Sequence, residues 1–345
     1  MTNDEKFMRR CIELAQNAKC TAPPNPTVGA VIVYDGRIIG EGYHVHCGQG
    51  HAEVNAIASV KDQTMLKKAT IYVSLEPCSH YGKTPPCADL IIKKGIPKVV
   101  VGCIDPFSLV SGRGVAKLRD AGVDVTVGVL ENECRQLIKP FVVFNTLRRP
   151  YVTLKWAESA DGFLDVEREN GRPVVFSTPV SLTHVHKLRA EHKAILVGTN
   201  TARLDNPSLT VRDWYGENPV RLVIDRRLEL PLSLKLFDGT VPTYVFTHLE
   251  KHDSENLHYV KTDDTDNLVP QILSFLFSRK LQSLLVEGGR RTLQSFIDAG
   301  LWDEIFVERA KICLRNGVSS PRLPRRCRPE VTRFGGNLLF HFAAV

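Results

Sequence analysis

Apolar and polar positions along the first half of the chain follow two periods, one typical of helices and one typical of strands. Residues 3–18 carry an apolar stripe at helical spacing, with Asn3 as the expected N-cap and two acids in the first turn. An Asp-Gly turn joins the β-branched run Thr27–Tyr34 to Arg37–Gly42, which predicts a hairpin. Further strands are predicted at Thr70–Ser74, Val99–Cys103 and Val123–Val127, and further helices from His51, at Cys87–Lys94 and at Val115–Ala121. This alternation predicts an α/β layer structure.

The alternation starts again after a polar and basic segment, Asn145–Pro150, whose proline directly precedes a predicted strand, Tyr151–Trp156. Later strands are predicted at Ala194–Gly198, Val220–Asp225, Thr243–Thr247 and Ser283–Glu287, and helices at Pro179–Ala190, Leu268–Ser278 and Thr292–Ala299. A chain of 345 residues can form two domains at roughly 100–200 residues each. We therefore expect an α/β protein with domains at 1–147 and 148–345.

The charge of the chain is concentrated in one segment. The net charge is +7, and the stretch Arg309–Arg333 alone holds eight basic residues against one acid. This proline-interrupted stretch is either a solvated loop or a loop that contacts phosphate. A nucleic-acid-binding protein would spread such residues over a binding face, so no nucleic-acid partner is expected. No apolar run approaches the ~18 residues of a membrane span, and the acidic N-terminus is no secretory signal, so we expect a cytoplasmic protein without a membrane partner.

Candidate metal chemistry lies in His51, Cys78 and Cys87. An odd number of cysteines, nine, does not form a disulfide framework in a cytosolic chain. One imidazole and two thiolates instead form the ligand set of a catalytic zinc site, whose fourth position is left for water. Glu53 is placed to transfer protons. The alternatives are a structural zinc site, for which His80 is a candidate fourth ligand, and two unconnected thiols.

Residues 51 and 53 set a geometric condition, since positions i and i+2 of a regular helix point about 200° apart. His51 and Glu53 can share one site only at the mouth of the helix, and the break at Gly48–Gly50 makes this geometry feasible. The order H-x-E, P-C and a second cysteine is typical of zinc-dependent nucleobase deaminases. Eight residues separate the two cysteines, where the general motif has two.

This longer loop resembles the bifunctional riboflavin-biosynthesis deaminase/reductase family. The matching stretches are Asn25–Val31, His51–Glu53, Ser74–Cys87 and Gly112–Gly114. The resemblance implies an N-terminal cytidine-deaminase-like zinc domain that removes an amino group from a pyrimidine ribosyl phosphate. It implies that Asn25 and His44 contact the pyrimidine, that Asp105 makes a further polar contact to the substrate, and that His80 and Lys83 meet the phosphate. Surface charge is the alternative for Lys83 and Asp105, and Phe107 and Ser108 depart from the Asp-Pro-Asn-Pro of the family.

A second chemical site is indicated by the strand, Gly288-Gly289 turn and helix near residue 287. No G-x-G-x-x-G fingerprint is present, and this turn alone is a weak signal for a pyrophosphate. The second half resembles the dihydrofolate-reductase-like half of the same family, which implies NADPH as cofactor. The resemblance assigns substrate binding to Lys155, Val174, Arg189, Leu209, Arg212 and Glu287. It assigns cofactor binding to Glu158, Phe176, Thr201, Asp205, Gly289, Arg290, Arg291, Thr292, Leu293, Gln294 and Ser295.

Several residues of this half depart from the family pattern. Phe163 replaces a basic residue, Val174 and Phe176 replace a serine and a tryptophan, and Glu158 replaces a small residue. An alternative is therefore a deaminase with a catalytically degenerate second domain, and a more distant one is a nucleic-acid base deaminase. The leading prediction is a bifunctional enzyme that binds Zn²⁺ and NADPH. We further expect it to be a homo-oligomer.

Overall fold

The protein is described by a computed structural model that covers residues 1–79, 85–106, 111–168, 171–263, 268–324 and 328–344. The chain divides into two compact units, Met1–Arg148 and Arg149–Val345. Each unit packs helices against a sheet, which is mixed in the first unit and mainly parallel in the second, and this confirms the predicted α/β class. Among the described helices, none combines the length and the apolar character needed to cross a membrane.

The first unit contains a five-stranded sheet in the order β2-β1-β3-β4-β5. Its strands are β1 (Gly29–Tyr34), β2 (Arg37–Tyr43), β3 (Thr70–Leu75), β4 (Lys98–Cys103) and β5 (Asp124–Val127). Its helices are α1 (Asn3–Gln16), α2 (Ala52–Ser59), α3 (Cys87–Lys94), α4 (Arg113–Asp120), α5 (Glu131–Leu137) and α6 (Lys139–Leu147), with a 3₁₀ turn at Gln63–Lys68. Strands β3, β4 and β5 are parallel, so their carboxyl ends lie at one edge of the sheet.

The start of α1 corrects one prediction. Thr2, and not Asn3, is the N-cap: its hydroxyl accepts a hydrogen bond from the Glu5 N–H, and the Glu5 carboxylate accepts one from the Thr2 N–H. This reciprocal capping box satisfies two helix-end donors, which Asn3 could not do without a glutamate three residues further on. The helix packs closely on β1, where a Cβ atom on Gly29 would lie 2.0 Å from the Cys11 carbonyl oxygen.

The second unit contains a nine-stranded sheet in the order β11-β10-β9-β8-β12-β6-β13-β16-β15. Its strands are β6 (Tyr151–Glu158), β8 (Ala194–Val197), β9 (Val220–Ile224), β10 (Thr243–Thr247), β11 (Leu257–Lys261), β12 (Ser283–Val286), β13 (Glu304–Arg309), β15 (Glu330–Phe334) and β16 (Asn337–Ala343), while β7 (Phe163–Asp165) pairs with β14 (Val318–Ser319). Its helices are α7 (Pro179–Glu191), α8 (Thr199–Asp205), α9 (Leu268–Ser278) and α10 (Arg290–Asp298), with a 3₁₀ turn at Lys235–Phe237. Apolar clusters cover both faces of this sheet.

The domain-boundary segment and the arginine-rich stretch, which was predicted to be a loop, both contain regular structure. Helix α6 continues into the polar segment at 145–150 and ends only at Leu147, after which Arg148 takes a left-handed conformation with φ of 53°. The arginine-rich stretch begins inside β13 and ends inside β15. Strand β15 is exposed along most of its length and pairs only with β16, so its sequence lacks the apolar pattern of a buried strand.

Candidate functional sites

The first site brings together the three predicted metal ligands. The Nδ1 atom of His51 lies 3.6 Å from the Cys78 sulfur and 3.4 Å from the Cys87 sulfur, and the three ligand atoms lie within 4.8 Å of one another. Cys78 follows β3, and Cys87 opens α3 with its backbone N–H donating to the Cys78 sulfur at 3.3 Å. One imidazole and two thiols are a zinc-selective donor set, so these residues fit zinc.

The position of His51 meets the geometric condition set by the sequence. His51 is the N-cap of α2 and has an extended backbone with φ of −68° and ψ of 168°. It therefore stands outside the helical repeat, while Glu53 lies in the first turn. The buried Glu53 carboxylate interacts with Cys87 and with the charges of Cys78 and His51. Both side chains thus belong to one site at the mouth of the helix.

Burial and the neighbouring sulfur control the ionisation of this site. Burial first, and then the negative charge of Cys78, raise the pKa of Glu53 from 4.5 to about 7. Hydrogen bonding from Cys87 lowers the pKa of Cys78, and the same contact raises the pKa of Cys87. A hydrogen bond with Cys78 raises the pKa of His51. A carboxyl group with a pKa near neutrality can both accept and deliver protons.

Asn25 and His44 lie beside the metal ligands, as a substrate-contact role would require. The His44 ring packs edge-on against the His51 ring with centroids 5.4 Å apart, and it is 2% exposed. The Nδ1 atom of His44 lies 3.1 Å from the Gly50 carbonyl oxygen, so Nδ1 carries the hydrogen. The other ring nitrogen then accepts from the Asn25 amide at 3.0 Å. The Asn25 side-chain oxygen accepts a hydrogen bond from the Cys47 thiol at 3.6 Å, and its second lone pair can still accept from a substrate.

Asp105 is buried just beyond β4, at the same sheet edge from which the Cys78 segment departs after β3. His80 and Lys83 fall outside the described residues, as do Phe107 and Ser108. Sequence reasoning assigned no role to Glu76, whose buried carboxylate accepts the backbone N–H of Asp105. The signal that could have identified it is its place two residues before a metal ligand.

The second site lies on the face of the large sheet that α7 covers. Lys155 on β6 has Glu287, which follows β12, and Glu308 on β13 as its charged neighbours, together with Arg189 on α7. Burial lowers the pKa of Lys155 below 10.5, and the two carboxylates partly offset this effect. Glu308 accepts hydrogen bonds from Ser177 at 2.6 Å and from Asn337 at 2.7 Å. Three residues predicted to bind substrate thus lie close together, next to a polar network that the sequence did not indicate.

Of the remaining predicted substrate residues, Leu209 and Arg212 lie on the segment after α8, whereas Val174 precedes α7. Arg212 donates from one guanidinium nitrogen to the Ser208 hydroxyl at 2.7 Å and to the Thr210 hydroxyl at 3.1 Å, and its side chain is exposed. Leu209 is buried with φ of 55°. Val174 donates its backbone N–H to Asp165 at 3.1 Å. An exposed guanidinium beside two hydroxyls has the composition of an anion-binding group.

The Gly288-Gly289 turn leads into α10, and no described side chain caps this helix. A Cβ atom on Gly289 would lie 3.0 Å from the Thr201 hydroxyl, and one on Gly198 would lie 2.5 Å from the Thr292 hydroxyl. The glycines therefore let the starts of α8 and α10 approach each other closely, with one hydroxyl from each helix at the contact. These features fit a dinucleotide pyrophosphate.

The predicted cofactor residues of α10 do not all face the same surroundings. Arg290 and Arg291 are exposed, whereas the Leu293 side chain is fully buried in the core and leaves only its backbone for a ligand. Gln294 pairs with the backbone of Arg322, accepting its N–H at 2.7 Å. Ser295 donates its hydroxyl to the Thr292 carbonyl oxygen at 2.8 Å.

Three other predicted cofactor residues are engaged within the protein. Asp205 forms an ion pair with Arg168. The buried carboxylate of Glu158 pairs with Arg309 at 2.7 Å and accepts from the indole N–H of Trp156 at 3.0 Å. Phe176 is 8% exposed, and its carbonyl oxygen accepts from Asn337 at 3.0 Å.

Two family models match the chain. The cytidine and deoxycytidylate deaminase zinc-binding region matches residues 1–103, and the RibD C-terminal domain matches residues 150–312. The chain thus combines a cytidine-deaminase-like domain with a dihydrofolate-reductase-like domain.

Similar proteins match over nearly the whole chain. The riboflavin biosynthesis protein RibD of Aquifex aeolicus is 43% identical over 324 residues, covering 92% of this chain and 89% of the relative. The protein of the same name from Escherichia coli is 36% identical, covering 88% and 86%. A solved deaminase/reductase from Thermotoga maritima superposes with a TM-score of 0.91 at 36% identity, covering 99% of each chain. A RibD structure from Acinetobacter baumannii gives a TM-score of 0.85 at 30% identity, covering 99% and 98%.

Proposed function

Since this chain belongs to the RibD family of riboflavin biosynthesis proteins, we propose how its residues carry out the two reactions of that family. The enzyme is a bifunctional deaminase and reductase that uses Zn²⁺ and NADPH. Its first substrate is the diamino-hydroxy-pyrimidine ribosylamino phosphate after which the Thermotoga maritima relative is named. The second step reduces the ribosyl group of the deaminated product to a ribityl chain.

In the deaminase unit, His51, Cys78 and Cys87 hold the zinc ion. A zinc ion held by these residues would lower the pKa of the attacking water. Glu53 accepts a proton from the attacking water and then delivers protons to the ring nitrogen and to the departing ammonia. Its pKa of about 7 and its contact with Cys87 support this assignment.

Substrate recognition in this unit is assigned to residues around the ligands. Asn25 presents its side-chain oxygen to an N–H of the pyrimidine, and His44 orients that amide and covers His51. Asp105 contacts the pyrimidine from the neighbouring strand end, and His80 and Lys83 bind the phosphate. This division places the cations near the anionic group and the amide near the base.

In the reductase unit, the glycine turn before α10, Thr201 and Thr292 hold the pyrophosphate of NADPH. NADPH supplies the hydride. Lys155 binds the substrate as a cation, and Arg212 with the hydroxyls of Ser208 and Thr210 binds its phosphate. Arg189 fixes the Glu287 carboxylate toward the substrate side of Lys155.

One observation carries this proposal: a zinc-type ligand set and a buried carboxyl group share one helix mouth. The test is a coupled assay in which the diamino substrate is supplied and both ammonia and NADPH are followed. Wild-type protein should release ammonia and consume NADPH. Glu53→Ala should do neither, and should consume NADPH again when pre-deaminated substrate is supplied. Ammonia release without NADPH consumption would refute the reductase assignment.

A further inference from the structure

Glu76 has no part in the two reactions described above, yet its carboxylate is the most heavily hydrogen-bonded acid in the deaminase unit among the described residues. One oxygen accepts the backbone N–H groups of Gly114 and Val115 at 2.9 and 3.2 Å. The other accepts those of Asp105 and Gly112 at 3.2 and 2.9 Å. The side chain is 4% exposed. Four donors match the four lone-pair positions of an ionised carboxylate.

These hydrogen bonds join two segments of the site. Glu76 follows β3 and stands two residues before the ligand Cys78, and its own N–H donates to the Cys103 carbonyl oxygen at 2.9 Å. Its acceptor oxygens hold Asp105, which follows β4, and the residues that open α4. One carboxylate thereby fixes the substrate side of the site relative to the metal side.

The hydrogen bonds to Glu76 also explain why residues 112 and 114 are glycines. Gly112 has φ of 76°, a conformation that side chains rarely adopt, and this turns its N–H toward Glu76. A Cβ atom on Gly114 would lie 2.0 Å from the Pro77 carbonyl oxygen. Glycine at 114 therefore lets the start of α4 approach the metal-ligand segment closely enough for the hydrogen bonds to form.

We infer that Glu76 is a positioning residue of the deaminase, which sets the distance between the Asp105 segment and the zinc-ligand segment. This inference rests on the proposed function, because it takes Asp105 as a substrate contact. Through its side chain, Glu76 touches none of the three metal ligands in the described contacts. Its loss should therefore displace the substrate while the ligand set stays intact.

The test compares wild type with Glu76→Gln in ammonia release, zinc content and reductase activity on pre-deaminated substrate. The amide nitrogen of glutamine would face two N–H donors, so those hydrogen bonds are lost. We expect the deaminase kcat/KM to fall about 100-fold, mainly through KM, since small misplacements have costs of this order. The zinc-to-protein ratio and the reductase rate should not change. Loss of zinc in proportion to activity, or unchanged deaminase kinetics, would overturn the inference.

A double-mutant cycle tests whether Glu76 acts through Asp105. Glu76→Gln and Asp105→Asn should have effects that do not add, because the second change finds the contact already lost. Additive effects would refute this route. If Asp105→Asn is silent while Glu76→Gln raises KM, the assignment of Asp105 fails and the positioning role stands.

Hydrogen exchange provides a measurement that does not depend on activity. The backbone amides of Gly112, Gly114 and Val115 should exchange faster in Glu76→Gln, and unchanged protection would refute the inference. A wild-type protein that releases no ammonia would refute the proposed function instead.

Glu76→Asp keeps the charge and should retain more activity than Glu76→Gln. The matched control is Glu131→Gln, an exposed acid of the same unit that pairs only with Arg135 in the described contacts.

Discussion

Arg189 and Glu287 form a two-fold hydrogen-bonded ion pair in the reductase unit, with Nε–Oε1 and Nη2–Oε2 distances of 2.8 and 2.6 Å. A third donor of Arg189 reaches the Thr210 carbonyl oxygen at 3.1 Å. Burial opposes ionisation of Glu287, but the nearby cations, Arg189 first and then Lys155, outweigh burial and lower its pKa. The charge of Arg189 is therefore largely neutralised within the protein. The ion pair thus orients Glu287, whereas the Arg212 side chain is exposed and is the cation proposed to bind the phosphate.

Removing the guanidinium should destabilise the reductase unit. Both side chains are about nine-tenths buried, with exposures of 11% and 10%, so Arg189→Met leaves a buried carboxylate without its partner. We expect the free energy of unfolding to fall by about 3 kcal/mol. All three tryptophans, Trp156, Trp214 and Trp302, lie in this unit, so urea unfolding followed by their fluorescence reports on it alone.

Substitution of Glu287, the other member of the ion pair, provides the control. Glu287→Gln in the Arg189→Met background removes the unpaired charge and should recover part of the stability. A double variant that is as unstable as the sum of the two single variants would show that the pair contributes no coupling energy. Ammonia release should be unaffected in all three variants.

The charge state of Lys155 predicts a pH dependence for the reductase step. Burial lowers its pKa below 10.5, and the cation is the form proposed to bind substrate. Activity should be full below this pKa and should fall as the pH rises through it, which places the alkaline limb below the ordinary lysine range. The profile is measured by NADPH consumption on pre-deaminated substrate.

Lys155→Arg tests the origin of that limb, because a guanidinium stays protonated throughout the range. The rate of the variant should be lower than that of wild type, and this lower rate should stay constant as the pH rises. The same alkaline limb in Lys155→Arg would assign the titration to another group. The neighbouring charges that tune Lys155 are Glu287, Glu308 and Arg189, so variants of these residues should shift the limb.

The sequence predicted the central strands of both sheets because each is a short, almost wholly apolar run. Strand β12 is buried at all four positions, and β8 likewise. Strands β15 and β16 could not be predicted in the same way, since β15 is exposed at four of five positions. Strand β16 pairs with β13, and β13 in turn pairs with β6. The position of β15 and β16 therefore depends on contacts between residues far apart in sequence.

The metal ligands could be predicted because they lie in short sequence motifs. The reductase site instead depends on pairs of residues that are far apart in sequence. His51 and Glu53 are separated by one residue, and their residue types alone restrict the chemistry. Arg189 and Glu287 are 98 residues apart, and each alone resembles a substrate contact. Only their juxtaposition shows that one neutralises the other. Glu76 was missed because all four of its partners are backbone N–H groups, so the side chains of those partners do not point to it.

Zinc removal should show whether the metal has a catalytic or a structural role. A strong chelator should abolish ammonia release, while NADPH consumption on pre-deaminated substrate and the far-ultraviolet circular dichroism stay unchanged. Added Zn²⁺ should restore the activity. Cooperative loss of secondary structure on chelation would instead indicate a structural role. The buried apolar cluster of the deaminase unit, which includes Ile32, Val73 and Val101, is the physical reason to expect that the fold persists.

Glu158, where the chain departs from the family pattern, lies directly opposite Arg309 across β6 and β13. We therefore expect the stability of the reductase unit to depend on Arg309. Glu158 is buried, while the Arg309 side chain is 41% exposed and stacks on Phe340 with its guanidinium 4.5 Å from the ring centroid. Arg309→Met keeps part of this packing but leaves the carboxylate unpaired, so we expect a loss of about 1–2 kcal/mol, moderated by solvent. Adding Glu158→Gln should restore stability, because a neutral amide oxygen can still accept from Trp156. Tryptophan-detected urea unfolding measures both variants, and a double variant no more stable than Arg309→Met would contradict this compensation.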